Sequence, residues 1–78
     1  MSEIGIRAAE CIRKMAAEYD TSVAFELNCL KLNPCKLYHY EHGRFDPCAS
    51  ALAYMAKNGY DVHYILTGEK HEHRKKSR

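Results

Sequence analysis

The fold of this chain is decided by the stretch LKLNPCKLYHYEHGRFDP, which covers residues 30–47. Asn33 and Pro34 predict a helix start, because asparagine is a good N-cap and proline is tolerated at the first helical position. Gly43 predicts the end of that helix, since glycine readily adopts the left-handed backbone found just after helix C-termini. We therefore predict a helix that begins at residue 34 and ends at about residue 41 or 42.

The segment before this helix predicts a second, supporting helix. This helix starts at Thr21 or Ser22, both favoured caps, and Val23, Leu27 and Leu30 follow at the i, i+4 and i+7 spacing of one helix face. About four residues then lead to the next helix. A helix pair joined by so short a turn is typical of the helix-turn-helix, whose second helix enters the major groove of DNA. The sequence thus predicts a helix-turn-helix at residues 22–42.

Three more helices are predicted on either side of this pair. An apolar stripe of helical spacing runs from Ile4 to Tyr19, and no segment alternates as a strand would. We therefore expect an all-α domain of five short helices over residues 1–68. Ser2 is the predicted cap of helix one. Helix four is predicted to start at Asp46-Pro47 and to end at Asn58-Gly59. Asp61 is the predicted cap of a last helix from Val62 to Leu66.

Charge is distributed unevenly along the 78 residues. The net charge is +2, but residues 69–78 hold five Lys and Arg side chains against two Glu, so the body is near neutral. We expect a basic, disordered tail suited to a phosphate backbone, or one that only keeps the chain soluble. No apolar run approaches the ~20 residues of a membrane span. A cytoplasmic protein with free cysteines and no membrane partner is therefore expected.

Two short motifs resemble a known family. YEHGR at residues 40–44, followed by Pro47, resembles the W/Y-E-x-G-R-x-x-P segment of the Cro and lambda-repressor-like (XRE) helix-turn-helix proteins. GYDVHYILTG at residues 59–68 resembles the G-x-D-V-x-Y-x-L-T-G ending of phage-type members. The resemblance covers residues 30–68. It implies a compact five-helix lambda-repressor-like domain and a regulator, specifically a repressor, that binds a palindromic operator in double-stranded DNA as a dimer.

The resemblance also implies functional residues. Lys36 would reach a guanine edge or a phosphate, and Arg44 a backbone phosphate. The same charges could instead be ordinary solvated ones, whereas Tyr40 is expected in the core and Glu41 in an internal hydrogen bond or ion pair. The DNA-binding residues implied are Asn33, Cys35, Lys36, Tyr38, His39 and Arg44. The dimer interface implied is Tyr60, Val62, Tyr64 and Ile65, although Val62, Ile65 and Leu66 could simply close the monomer core.

The chain departs from the family in and around the supporting helix. Family members usually have Gly where this chain has Lys31, Ala where it has Leu27, and Gln where it has Val23. The small alanine lets the two helices approach closely. We therefore expect the supporting helix, residues 22–30, to be the part least like the family.

Other classes of function are less consistent with the sequence. No glycine-rich phosphate loop or nucleophile motif is present, so we expect no enzyme, no cofactor and no small-molecule ligand. Cys29, Cys35, His39 and His42 could ligate zinc, but they lack the Cys-x-x-Cys spacing of structural sites, so no metal is expected. A protein-interaction module on a helix-turn-helix scaffold, such as an antirepressor without DNA binding, remains the alternative.

Overall fold

Five α-helices and no strands form residues 1–70, the part of the chain that the computed structural model describes. This confirms the all-α, five-helix prediction. Within those residues no helix combines the length and the hydropathy that crossing a membrane requires. The predicted basic tail lies outside the described residues, except for Glu69 and Lys70. The helices are α1 (Glu3–Glu18), α2 (Val23–Cys29), α3 (Pro34–Glu41), α4 (Ala49–Lys57) and α5 (Val62–Thr67).

Four of the five helices begin at a side chain that caps them. At each of these starts the side-chain oxygen accepts a hydrogen bond from the backbone N–H three residues later, as an N-cap does. The distances are 3.0 Å at Ser2, 3.0 Å at Ser22, 2.8 Å at Asn33 and 3.0 Å at Asp61. Ser2, Asn33 and Asp61 were predicted as starts, and Ser22 was one of the two starts predicted for α2, because a cap and its partner are neighbours in sequence.

The predicted start of helix four at Asp46-Pro47 is wrong by two residues. The N-cap of α4 is Cys48, which makes no side-chain cap bond, and the helix begins at Ala49. The Asp46 carboxylate instead accepts a hydrogen bond from the Ser2 hydroxyl at the start of α1. A contact between residues far apart in sequence thus removes Asp46 from the role that its neighbours predict.

The core surrounds α1, which packs against α2, α3 and α5. Ile12 lies fully buried at its centre, and Leu27 and Leu30 of the predicted α2 stripe are buried beside it. Tyr40 is also buried, as predicted. The core side chains are Ala8, Ala9, Ile12, Met15, Leu27, Leu30, Leu37, Tyr40, Met55, Tyr60 and Ile65.

One charged residue, Glu26, lies fully buried on α2. Its Oε1 accepts a hydrogen bond of 2.9 Å from the Tyr60 hydroxyl, and its Oε2 one of 2.5 Å from the Thr21 hydroxyl. Buried carboxylates are stable only when their oxygens are satisfied in this way. Glu26 therefore links α2 to the segment between α4 and α5, a role that the sequence did not predict.

The start of α1 lies directly against the segment that follows α3. A β-carbon added at Gly5 would stand 2.5 Å from the Phe45 carbonyl oxygen, so only glycine fits there. The Ser2 N–H donates to the Gly43 carbonyl at 2.7 Å, and Gly43 has the predicted left-handed backbone, with φ +64°. These contacts fix the direction in which the chain leaves α3.

Candidate functional site

The turn between α2 and α3 sets the orientation of α3. Leu30 at its start is fully buried, and the Leu32 N–H donates to the Leu27 carbonyl at 2.9 Å. Between them Lys31 has φ +58°, the left-handed conformation that normally favours glycine. Lys31 therefore holds the backbone geometry that glycine would supply at this position.

The outward side of α3 and the residues just after it form one exposed surface, here called the α3 surface. Leu37 and Tyr40 face the core, so the remaining positions face outward. Tyr38 is 48% exposed and Phe45 38% exposed, high values for aromatic side chains. The α3 surface consists of Asn33, Cys35, Lys36, Tyr38, His39, His42, Arg44 and Phe45.

Aromatic rings form a connected group on the α3 surface. The His42 ring lies over Tyr38 with centroids 4.1 Å apart, and His39 meets Tyr38 edge-on at 5.6 Å. Phe45 lies 5.3 Å from His39 and meets the buried Tyr40 edge-on at 5.6 Å. Because Tyr40 belongs to the core, these contacts attach the exposed rings to the folded body.

Two cations lie over these rings. The Lys36 ammonium is 5.3 Å from the centroid of Phe45, and the Arg44 guanidinium is 5.5 Å from that of Tyr38. Both distances are within the ~6 Å over which a cation is attracted to a ring face. The contacts restrict two long, exposed side chains to the same surface.

The carboxylates nearest to these cations are held by α1. Glu41, for which an internal hydrogen bond or ion pair was predicted, forms an ion pair with Arg13, and Asp46 is bonded by Ser2. The hydrogen bond from Arg13 is the main reason that the pKa of Glu41 is lowered. Of the charged side chains between positions 34 and 46, Lys36 and Arg44 lie over rings of the α3 surface and Glu41 is paired with Arg13, whereas the exposed Asp46 is bonded only by a neutral hydroxyl.

The N-terminus of α3 offers less to a phosphate than the sequence suggested. Pro34 has no N–H, and the Lys36 N–H is already bonded to the Asn33 side chain. Cys35 at the second helical position retains its N–H, since a helix gives its first N–H groups no internal partner. Asn33 thus acts as a cap, and one backbone donor remains at this end.

His39 is less exposed than the prediction assumed. Its side chain is half-buried, and its Nδ1 is buried without a hydrogen-bond partner among the described residues. The neighbouring Phe45 ring, which the sequence reasoning did not consider, covers it. A role for His39 in DNA contact stays a prediction.

The proposed dimer residues divide into two groups. Tyr60 and Ile65 are 1% and 0% exposed within a single chain, so they belong to the monomer core. Val62 and Tyr64 are half-buried, and Leu66 beside them is 44% exposed. A dimer interface at α5 stays a prediction, and it now depends on these three more accessible side chains.

His42 and Phe45 are the members of the α3 surface that sequence reasoning missed. His42 stands four residues after Tyr38, so helical spacing already indicates that the two share a face. Phe45 follows the helix end, and its position depends on the left-handed Gly43 and on the close approach of α1. No local sequence signal predicts that second placement.

All four cysteines are free thiols, as predicted. Burial raises the pKa of Cys11 to about 11. Cys48 is exposed, and its pKa is lowered chiefly by its hydrogen bond with the Ser50 hydroxyl. Across residues 1–70, no three His, Cys, Asp or Glu side chains are grouped as metal ligands would be.

Comparison of the chain with protein-family models, with curated proteins and with solved structures found no match. The resemblance of residues 40–47 and 59–68 to the Cro and lambda-repressor-like proteins stays a prediction.

Proposed function

We propose that this chain is a sequence-specific regulator of transcription that binds double-stranded DNA through the α3 surface. In this proposal α2 and α3 form a helix-turn-helix, with α3 as the recognition helix in the major groove. The short connection between the helices, the buried Leu30 and the left-handed Lys31 support this assignment. The resemblance at residues 40–47 supports a repressor of the Cro type.

The observation that carries the proposal is the pair of cations that lie over exposed rings at α3. Lys36 and Arg44 are held there, while the neighbouring Glu41 is paired with Arg13 of α1. A carboxylate on this surface would repel phosphate, whereas cations release counterions when they contact it. The arrangement therefore favours a polyanion over a neutral or acidic partner.

Several groups of the α3 surface have chemistry that suits DNA. Lys36 can donate to a guanine edge or a phosphate, and Tyr38 can pack on a thymine methyl or donate to a phosphate. The Cys35 N–H at the start of α3 can donate to a backbone oxygen. Arg44 lies beyond the helix end, which suits a contact to the phosphate backbone.

Two copies of the chain would bind a palindromic site in this proposal. The body is near neutral, so a single copy offers few phosphate contacts and low affinity. Two recognition helices one DNA turn apart double those contacts. The exposed Leu66 with Val62 and Tyr64 gives α5 an apolar surface for pairing.

Lys36→Ala tests the proposal directly. We expect binding to a DNA duplex to weaken by about tenfold or more, as loss of a base or phosphate contact does. Lys57→Ala is the matched control, because Lys57 also lies over a ring, 5.8 Å from the Tyr54 centroid, but on α4. Fluorescence anisotropy with labelled duplexes measures both. Equal affinities of the two variants would contradict a role for α3 as the reader.

A protein-interaction module without DNA binding is the second candidate. In that case Phe25 of α2, which is 48% exposed, would be one apolar contact for a partner protein. Salt dependence separates the candidates, since DNA binding weakens steeply as salt increases. An absence of binding to any duplex at low salt would favour this second candidate.

A further inference from the structure

His42 stands where the α3 surface meets the end of the helix, and its ring is held in one orientation. The ring lies over Tyr38 with centroids 4.1 Å apart and an angle of 33° between the planes. Its Nδ1 is 2.9 Å from the Tyr38 carbonyl oxygen. Because a carbonyl can only accept, Nδ1 must be the nitrogen that carries the hydrogen. The neutral ring therefore has its lone pair on Nε2.

The fixed Nδ1–H means that a further proton can only be added at Nε2. His42 is exposed, and its Nε2 has no hydrogen bond within residues 1–70. Protonation changes Nε2 from an acceptor to a donor and adds a full positive charge. The bond to the Tyr38 carbonyl is the same in both states, so the ring keeps its place.

Two charged side chains lie near His42 in the described part of the chain. Glu41 is the adjacent carboxylate, and it is engaged by Arg13 from α1. Arg44 lies over the same Tyr38 ring that His42 stacks on. A phosphate beside Nε2 would favour the charged imidazole, because an anion stabilises a neighbouring cation.

We infer that His42 contacts the phosphate backbone and takes up a proton when the α3 surface binds DNA. The inference rests on the proposed function and adds a contact residue and its regulation. Arg44 and His42 together then form the backbone-contacting end of the surface, while Lys36 and Tyr38 lie nearer the start of α3.

The sign of the pH effect follows from linkage. The bound state holds one more proton than the free state, so affinity rises as pH falls through the range in which histidine titrates, about pH 5–8. A single proton limits the slope to about tenfold per pH unit, because one pH unit corresponds to a tenfold change in proton activity.

The experiment compares affinities at pH 8 and pH 6 for a random-sequence DNA duplex at about 50 mM salt, low enough for backbone contacts to register. We expect wild-type affinity to rise severalfold more than that of His42→Gln, with the two alike at pH 8. His63→Gln is the matched control, since His63 lies on α5 with its Nε2 3.7 Å from Glu69, and it should behave as wild type. An equal rise in wild type and His42→Gln would overturn the inference and leave the proposed function intact. An absence of binding at both pH values would overturn both.

Nitrogen NMR of the His42 ring gives a second test, which does not depend on measured affinities. We expect the neutral ring of the free protein to carry its hydrogen on Nδ1, as the bond to Tyr38 requires. Addition of the duplex should shift the midpoint of the ring titration to higher pH. A neutral ring with its hydrogen on Nε2, or a midpoint unmoved by bound duplex, would contradict the inference.

Discussion

Lys31 places a residue with a β-carbon in a backbone conformation that normally favours glycine. Its φ is +58°, and it lies in the turn that orients α3. The left-handed conformation costs an ordinary L-residue about 1 kcal/mol, because the β-carbon approaches the following carbonyl. The turn therefore stores a small strain, which the buried Leu30 next to it helps to maintain.

Lys31→Gly should raise the free energy of unfolding by up to about 1 kcal/mol, because glycine adopts the left-handed conformation without strain. The greater conformational entropy of glycine in the unfolded chain reduces this gain. Lys31→Ala is the matched control, since it removes the same charge but keeps the β-carbon, and it should give no gain. Urea denaturation measures both variants. Equal stabilities would show that the strain at Lys31 has no measurable cost.

At the scale of helices, the pairing of α1 with α3 positions the α3 surface. Arg13 on α1 bonds Glu41 at the end of α3, and both side chains are partly exposed. The folded-state pKa of Glu41 is below its ordinary value, chiefly because of this hydrogen bond. A lowered carboxyl pKa contributes stability above the unfolded-state pKa, and that contribution is lost as pH falls through the folded-state pKa.

Glu41→Gln should therefore destabilise the protein modestly at pH 7, and the difference from wild type should shrink below about pH 4.5, where unfolded carboxyls protonate. Glu3→Gln is the control. Glu3 also has an arginine partner, Arg7 at 3.5 Å, but it is 82% exposed, so loss of this ion pair should have a smaller effect on stability at pH 7. Denaturation curves at pH 7 and pH 3 measure this. A Glu41→Gln deficit that persists unchanged at pH 3 would contradict the role of the ion pair.

The helices were predictable where their signals are local. Asn33 with Pro34 marks the start of α3, and Gly43 its end, because caps and stops act over three or four residues. Asp46 has the same local signal, yet Ser2 engages it, and no sequence pattern shows that contact. The outward face of α3 followed from helical spacing, but Phe45 did not, since its place depends on how α1 packs.

At the scale of the whole molecule, one buried polar contact joins parts of the chain that are distant in sequence. Tyr60 donates to Glu26 across 34 positions, and both side chains are almost fully buried. Sequence reasoning assigned Tyr60 to a dimer interface, because an apolar segment alone does not show whether it packs inside one chain or between two. The buried partner Glu26 explains why Tyr60 lies inside.

Tyr60→Phe should lower the free energy of unfolding by about 1–3 kcal/mol, because the buried Glu26 carboxylate loses a hydrogen-bond donor. Tyr64→Phe is the matched control: its hydroxyl donates to the exposed Glu10 at 2.7 Å, and its loss should cost less than about 1 kcal/mol. Thermal denaturation compares the two. Equal losses of stability in the two variants would contradict a larger contribution from the buried hydrogen bond between Tyr60 and Glu26.

Charge also acts at this scale. The body is near neutral, and on the α3 surface Lys36 and Arg44 lie over exposed rings while the nearby Glu41 is paired with Arg13 of α1. Affinity for DNA would then come from geometry and from two copies of the chain rather than from a large net charge. Binding should accordingly depend on sequence even at moderate salt.

Selection from a random pool of DNA duplexes by the purified protein tests the central claim most directly. We expect an enriched palindromic motif whose half-sites lie about one helical turn apart, bound more weakly as salt increases. The same selection with Lys36→Ala should lose or alter the motif. A pool that shows no enrichment, together with an absence of duplex binding at low salt, would contradict the proposal that this chain recognises DNA.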